Sequence, residues 1–225
     1  GNVLWNQTFE MQNPMTTICG NVAAIGDYNG RTIYVVSGDK QLGTVNTNLP
    51  IRKICVSENG VVAAVLDDSD VTRILLYNGN ENTDTSIVDI KATMDKSGYP
   101  LSISLSPNGK LLAISYLHVD SGEMKSTVAF FNFGEVGKNE SDNYVSGFDY
   151  VDTVVPYVQF MSSSNAFAVS DDRIVFFSGS EKPNTTAVAL LDEEVQGIYY
   201  NESYVRSEER RVGKEGRSRW AQYDE

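Results

Sequence analysis

One histidine, His118, and two cysteines, Cys19 and Cys55, are all the imidazole and thiol chemistry that 225 residues contain. A structural zinc site needs four such ligands, so zinc is excluded as an organising element, and no metal or other cofactor is expected. Cationic charge is also scarce. Lys and Arg number 18 against 30 Asp and Glu, a formal charge of -12, and nothing before Arg206 gathers them into a stripe able to neutralise phosphates. Nucleic acid and anionic membrane surfaces are therefore poor partners, and no direct membrane contact is expected. There is no apolar run of 18 or more residues, and no basic start followed by an apolar core, so neither a membrane span nor a signal peptide is read. The nucleophile elbow, the phosphate loop and the dinucleotide fingerprint are missing too.

What is present is turn chemistry and period-2 alternation. The clearest instance is residues 99–116, where Leu101, Ile103 and Leu105 alternate with Ser102, Ser104 and Ser106 before Asn108-Gly109 and a returning run from Leu111 to Tyr116. That pattern predicts a β-hairpin with positive φ at the Asn-Gly pair. Weaker copies recur. Ile18-Cys-Gly precedes 22–27, an Asn29-Gly30 turn and 32–38; Ile54-Cys-Val precedes 61–68 and 73–79; Tyr157-Val-Gln-Phe precedes 166–172 and 173–179. Pro14, Pro50, Pro100 and Pro156 mark the first strand of each unit, and Gly38, Gly79, Gly134 and Gly179 end the third, at spacings of 41, 55 and 45.

A repeat of about 40 to 50 residues made of short strands is the signature of a β-propeller blade. Residues 42–47 and 86–92 are candidate fourth strands. Val61 to Leu66 and Ile174 to Phe177 are apolar on both faces, as blades packed on both sides require. The expectation is an all-β fold: about four blades of four antiparallel strands, an open arc of a larger ring with two uncovered apolar edges. An incoming strand is expected around Trp5 and an outgoing one at residues 197–200. Since the chain starts with Gly and residues 2–9 already read as a strand, it is expected to be a fragment whose targeting segment, if any, lies upstream.

The domain reading is a propeller segment at 1–205 and a non-native or disordered tail at 206–225. That tail carries six of the 18 basic residues and no β pattern. It closely resembles the peptide translated from a common sequencing adapter, departing at Gly216, where that peptide has Cys, and again after Trp220.

Several groups are candidates for chemistry. The third unit departs from its copies in two polar loops, 120–126 and 135–143, and Asp120, Glu123, Lys125, Glu135, Lys138, Glu140 and Asp142 are the candidate binding residues there. Asp27, Asp67-Asp68 and Asp171-Asp172 recur after second strands. They could bind a hard cation, but the turn position favours Asp satisfying backbone donors. Cys19 and Cys55 fall at equivalent positions of neighbouring sheets about 10 Å apart, too far for a disulfide, so two buried free thiols are expected. Ser37-Gly-Asp-Lys40, Lys96-Ser-Gly98 and Ser141-Asp-Asn143 mimic a penicillin-recognising serine enzyme, in the wrong order and with Ser37 ending a strand. Tyr34, Tyr77, Phe130, Phe131, Phe176 and Phe177 read as interblade core rather than as a sugar- or peptide-stacking surface. The Asn-x-Ser/Thr triplets at Asn6, Asn139, Asn184 and Asn201 are no more than a chain this rich in Asn produces by chance.

Residues 105–113, Leu-Ser-Pro-Asn-Gly-Lys-Leu-Leu-Ala, resemble the hairpin of WD40-like bacterial propellers, the broad group that includes Tol-like and quinoprotein-like repeats. No Trp-Asp closes any unit, so true WD40 signatures are missing. Through Gly1-Asn-Val-Leu-Trp, Ser97-Gly-Tyr-Pro-Leu and Phe131-Asn-Phe-Gly-Glu-Val, residues 1–205 are similar to an uncharacterised propeller family of Gram-positive bacteria. The resemblance implies a propeller on the extracytoplasmic face of the cell membrane, tethered by an upstream helix, with no assigned activity. The resulting reading is a non-enzymatic scaffold or binding module for a protein or cell-envelope partner. The alternative is a substrate-gating or metal-containing propeller of a hydrolase or lactonase-like enzyme. A quinone-dependent dehydrogenase is disfavoured by the missing paired cysteines and Trp-rich motifs.

Overall fold

The computed structural model describes residues 6–69, 71–93, 97–120, 122–192, 195–209 and 217–222. Each predicted unit is a four-stranded antiparallel meander. The first holds β1 (Pro14–Cys19), β2 (Val22–Asp27), β3 (Thr32–Ser37) and β4 (Lys40–Asn46); the second holds β5 (Ile51–Val56), β6 (Val61–Asp68), β7 (Val71–Asn78) and β8 (Val88–Thr93). The third consists of β9 (Tyr99–Leu105), β10 (Leu111–Asp120), β11 (Glu123–Asn132) and β12 (Tyr144–Val151), with a helical turn, α1 (Glu135–Lys138), and a 3-10 turn (Ser141–Asn143) between the last two strands. The fourth holds β13 (Tyr157–Phe160), β14 (Asn165–Val169), β15 (Arg173–Ser178) and β16 (Asn184–Leu190). A three-stranded sheet follows: β17 (Val195–Tyr200), β18 (Tyr204–Glu209) and β19 (Arg217–Gln222).

The first strands β1, β5, β9 and β13 pack against one another in succession, so they form the inner edge and the fourth strands the outer one. The four sheets are thus the blades of a propeller, as the repeat predicts. Alternation explains how. On β6, Val62, Ala64 and Leu66 join the core shared with the first blade, whereas Ala63 and Val65 join the core shared with the third. On β11, Ala129 and Phe131 face the second blade and Val128 and Phe130 the fourth. Each fully buried Val, Leu or Phe in these layers contributes about 1.5–3 kcal/mol of transfer free energy. Blades approach closely at the outer edge as well: Val45 bridges Thr83, and a Cβ added to Gly43 would fall 2.3 Å from the Glu81 carbonyl oxygen.

The structure departs from expectation in four places. Residues 120–126 are not a loop: β10 and β11 stay paired out to Asp120 and Glu123, with Gly122 at φ +90° in the turn, because a two-residue connection holding a positive-φ glycine needs no further slack. Residues 135–143 hold α1 and the 3-10 turn rather than irregular chain. In the hairpin at residues 99–116 Gly109 alone takes positive φ, at +68°, since the connection spans residues 106–110 instead of two residues. Beyond Arg206, β18 and β19 pair in register, so this stretch does carry β structure. The incoming strand expected at Trp5 lies outside the described residues.

Candidate functional site

Two rims follow from the meander. One collects the connections between first and second and between third and fourth strands; the other collects the remaining two kinds, and all the repeated aspartates lie on this second rim. Their partners are local. The Asp27 carboxylate accepts the backbone N–H groups of Gln12 and Asn13 at 3.0 and 2.5 Å. Asp67 accepts from Arg52, whose guanidinium lies 5.0 Å over the Tyr28 ring. Asp68 pairs with Arg73 at 3.7 Å, and Asp172 with Arg173 and the Ser170 hydroxyl. The hydrogen bonds from Arg173 hold the Asp172 carboxyl down to about 2. Among the described residues, no group of three or more His, Cys, Asp or Glu could hold a metal ion.

The candidate residues of the third blade fall into two groups that β11 separates. Asp120 ends β10 and Glu123 begins β11 at one rim. Lys125, next along β11, pairs with Asp149 of β12 at 3.0 Å. Glu135, Lys138, Glu140 and Asp142 lie past the other end of β11, about 30 Å away at 3.3 Å per residue. There Lys138 bonds Glu135 at 2.6 Å, and Lys182 of the fourth blade bonds Glu140 at 2.7 Å. The two groups do not meet in one site.

The other candidates resolve simply. Cys19 and Cys55 are free thiols; Cys19 is half-buried rather than buried, and burial pushes the Cys55 thiol up to about 12. Ser37 ends β3, Ser141–Asn143 is the 3-10 turn on another blade, and Lys96 lies outside the described residues. Phe130 packs edge-on against Phe148, Phe160 and Phe177 at 5.1–6.3 Å, which is interblade core as expected.

The feature that sequence reasoning missed is a cleft of about 830 Å³ on the second rim, where the fourth blade meets the three-stranded sheet. Val154 and Pro156 form one wall and Leu191, Val195 and Ile198 the other, with Asp171, Asp172 and Asp192 at its border. Tyr157 also lines it, its phenol pushed up to about 12 by burial. The apolar residues come from two connections that follow outer strands, Val154, Pro156 and Leu191, and from β17, Val195 and Ile198, and in sequence they are indistinguishable from core. The Asp171-Asp172 pair was the one legible sign of it.

The family model that matches this chain, over residues 1–224, is described as a family of unknown function, DUF5711. The chain belongs to that family. No curated protein matches it. Among solved structures, the chain is similar in fold to KlAtg21 in complex with the coiled coil of AgAtg16, at 13% identity and TM-score 0.61, covering 96% of this chain and 72% of that one. It is also similar to Hsv2 of Kluyveromyces marxianus at 14% identity and TM-score 0.55, covering 78% of this chain and 60% of that one. A structure described as the eukaryotic initiation factor matches at 9% identity and TM-score 0.52, covering 93% and 52%. At these identities the likeness establishes the propeller fold. The DUF5711 chain spans about 60% of the length of Hsv2.

Proposed function

We propose that this chain is a non-enzymatic binding module that seats a basic, partly apolar segment of a protein partner in the 830 Å³ rim cleft. That cleft carries the reading: its walls are aliphatic and its border acidic, on a chain of net charge -12. Aliphatic walls take apolar side chains, while Asp171 attracts Lys or Arg and disfavours acidic competitors. The KlAtg21 structure, a propeller in complex with a coiled coil, supports protein docking as a use of such a fold. An extracytoplasmic location with a tether outside these residues belongs to the same reading, supported by the resemblance of residues 1–5, 97–101 and 131–136 to tethered Gram-positive propellers.

The test is calorimetry of the full chain with an amide-capped (Lys-Leu)4 peptide and its (Glu-Leu)4 counterpart. The basic peptide is expected to bind one-to-one, and Asp171→Asn and Ile198→Asp each to weaken it tenfold or more. Equal affinity for the two peptides, or binding untouched by both substitutions, contradicts the reading. The origin of residues 206–225 is a separate proposal, read-through of adapter DNA. It is tested by sequencing the genomic locus across Arg206, and a genome that encodes the same residues overturns it.

A further inference from the structure

A second cavity, of about 400 Å³, opens between the second and third blades and is separate from the rim cleft. Its floor is Ile90 of β8 with Ala129 and Phe131 of β11, all buried. Its upper wall is the ring of Tyr144, 46% exposed and held edge-on to Phe131 at 5.8 Å between centroids. Hydroxyls surround this apolar floor: Ser97, Ser141 and Tyr116 line the same space. The Tyr116 phenol decides what the cavity can do. It is 4% exposed, and burial raises its pKa above the ordinary phenol value. A hydroxyl that lines a cavity can donate to or accept from a ligand that enters it.

At the mouth stands Asp142. It lines the cavity and takes φ +55° and ψ +24°, and Asn143 after it φ +61°, two successive left-handed residues. Asp142 forms no ion pair among the described residues. A single carboxylate beside hydroxyls is no metal site. It can bridge two neighbouring ligand hydroxyls, one to each oxygen. Ser and Tyr hydroxyls both donate and accept, and Lys91 in the same lining offsets the charge of Asp142, which suits a neutral polyol rather than an ion. An aromatic face above an apolar floor suits the axial C–H surface of a sugar ring.

We propose that this cavity binds a neutral pyranose ring, with Tyr144 against its apolar face and Tyr116 and Asp142 engaging its hydroxyls. The volume admits one ring and part of a neighbour. It also gives Asp142, singled out in the sequence as a binding residue, a definite ligand class.

The test uses the full chain with methyl glycosides of glucose, galactose and N-acetylglucosamine, their β1,4-linked trisaccharides, and butylamine as a cationic control, read by saturation-transfer NMR and calorimetry. At least one sugar is expected to bind saturably. Tyr116→Phe, which removes one oxygen and leaves the packing intact, is expected to weaken it about tenfold, with an unchanged melting temperature. Tyr144→Ala is expected to weaken it further. Tighter binding of a trisaccharide identifies a polysaccharide as the source, and equal binding identifies a free sugar or a chain end; both support the site. Absence of saturable binding by the folded chain, binding unchanged in both variants, or displacement of sugar by butylamine overturns it. None of these outcomes bears on the rim cleft, so the two proposals fail independently.

Discussion

Asp172 and Arg173 show how the rim aspartates are used. Adjacent in sequence, they pair side by side, and the Ser170 hydroxyl donates to the same carboxylate at 2.8 Å. The carboxyl is held at about 2 in the folded chain against an ordinary value of 3.8. A group whose folded value is depressed contributes stability above its unfolded value, and that contribution fades as pH falls through the folded one. Asp172→Asn is therefore expected to melt below the parent at pH 6, with the gap constant down to about pH 4 and closed near pH 2. A gap independent of pH would assign the loss to packing. The pair is half-exposed, so the effect is small. Turn position made local satisfaction of Asp legible, and Asp27 does accept backbone N–H groups, but the arginine partners of Asp67, Asp68 and Asp172 were not read from the sequence. The Tyr116 phenol was not legible, since Tyr in an apolar strand reads as core until the space beside it is known.

Strands and turns explain why the hairpins recur. Ser106-Pro-Asn-Gly looks like an isolated turn, and part of its role is indeed internal: the Ser106 hydroxyl donates to Asn108 at 2.8 Å and accepts the Leu111 N–H at 2.9 Å. Ser57-Glu-Asn-Gly has the same form in the second blade, and the two turns join. Glu58 N–H donates to the Pro107 carbonyl at 3.0 Å, and the Asn59 side chain to the Asn108 carbonyl at 2.9 Å. Asn59→Ala is expected to cost about 1 kcal/mol, read as a lower urea midpoint at constant slope. An unchanged midpoint would show that the turns merely adjoin. Strand identity was readable because alternation persists wherever a sheet is packed on both sides. The hairpin at 120–126 escaped because its tip is a short exposed stretch of mixed character: the pair Val119–Met124, exposed on both sides, follows His118–Lys125, and no sustained alternation reaches the turn.

For the molecule as a whole, stability resides in the layers between blades. Phe130 spans one of these, fully buried on the third blade and touching Phe160 and Phe177 of the fourth. Phe130→Ala is expected to cost about 3–5 kcal/mol by chemical denaturation. A loss under 1 kcal/mol would mean that the blades are not packed through it. Blade number and order were legible from glycine and proline spacing, whereas the rim cleft was not, because it is assembled from connections far apart in the chain. The most direct test of the account is hydrogen exchange on the full chain with and without the (Lys-Leu)4 peptide. Seating in the rim cleft predicts added protection at residues 154–157, 169–172 and 195–198, and none on the opposite rim. Protection spread evenly over the acidic surface, or confined to other blades, would contradict it.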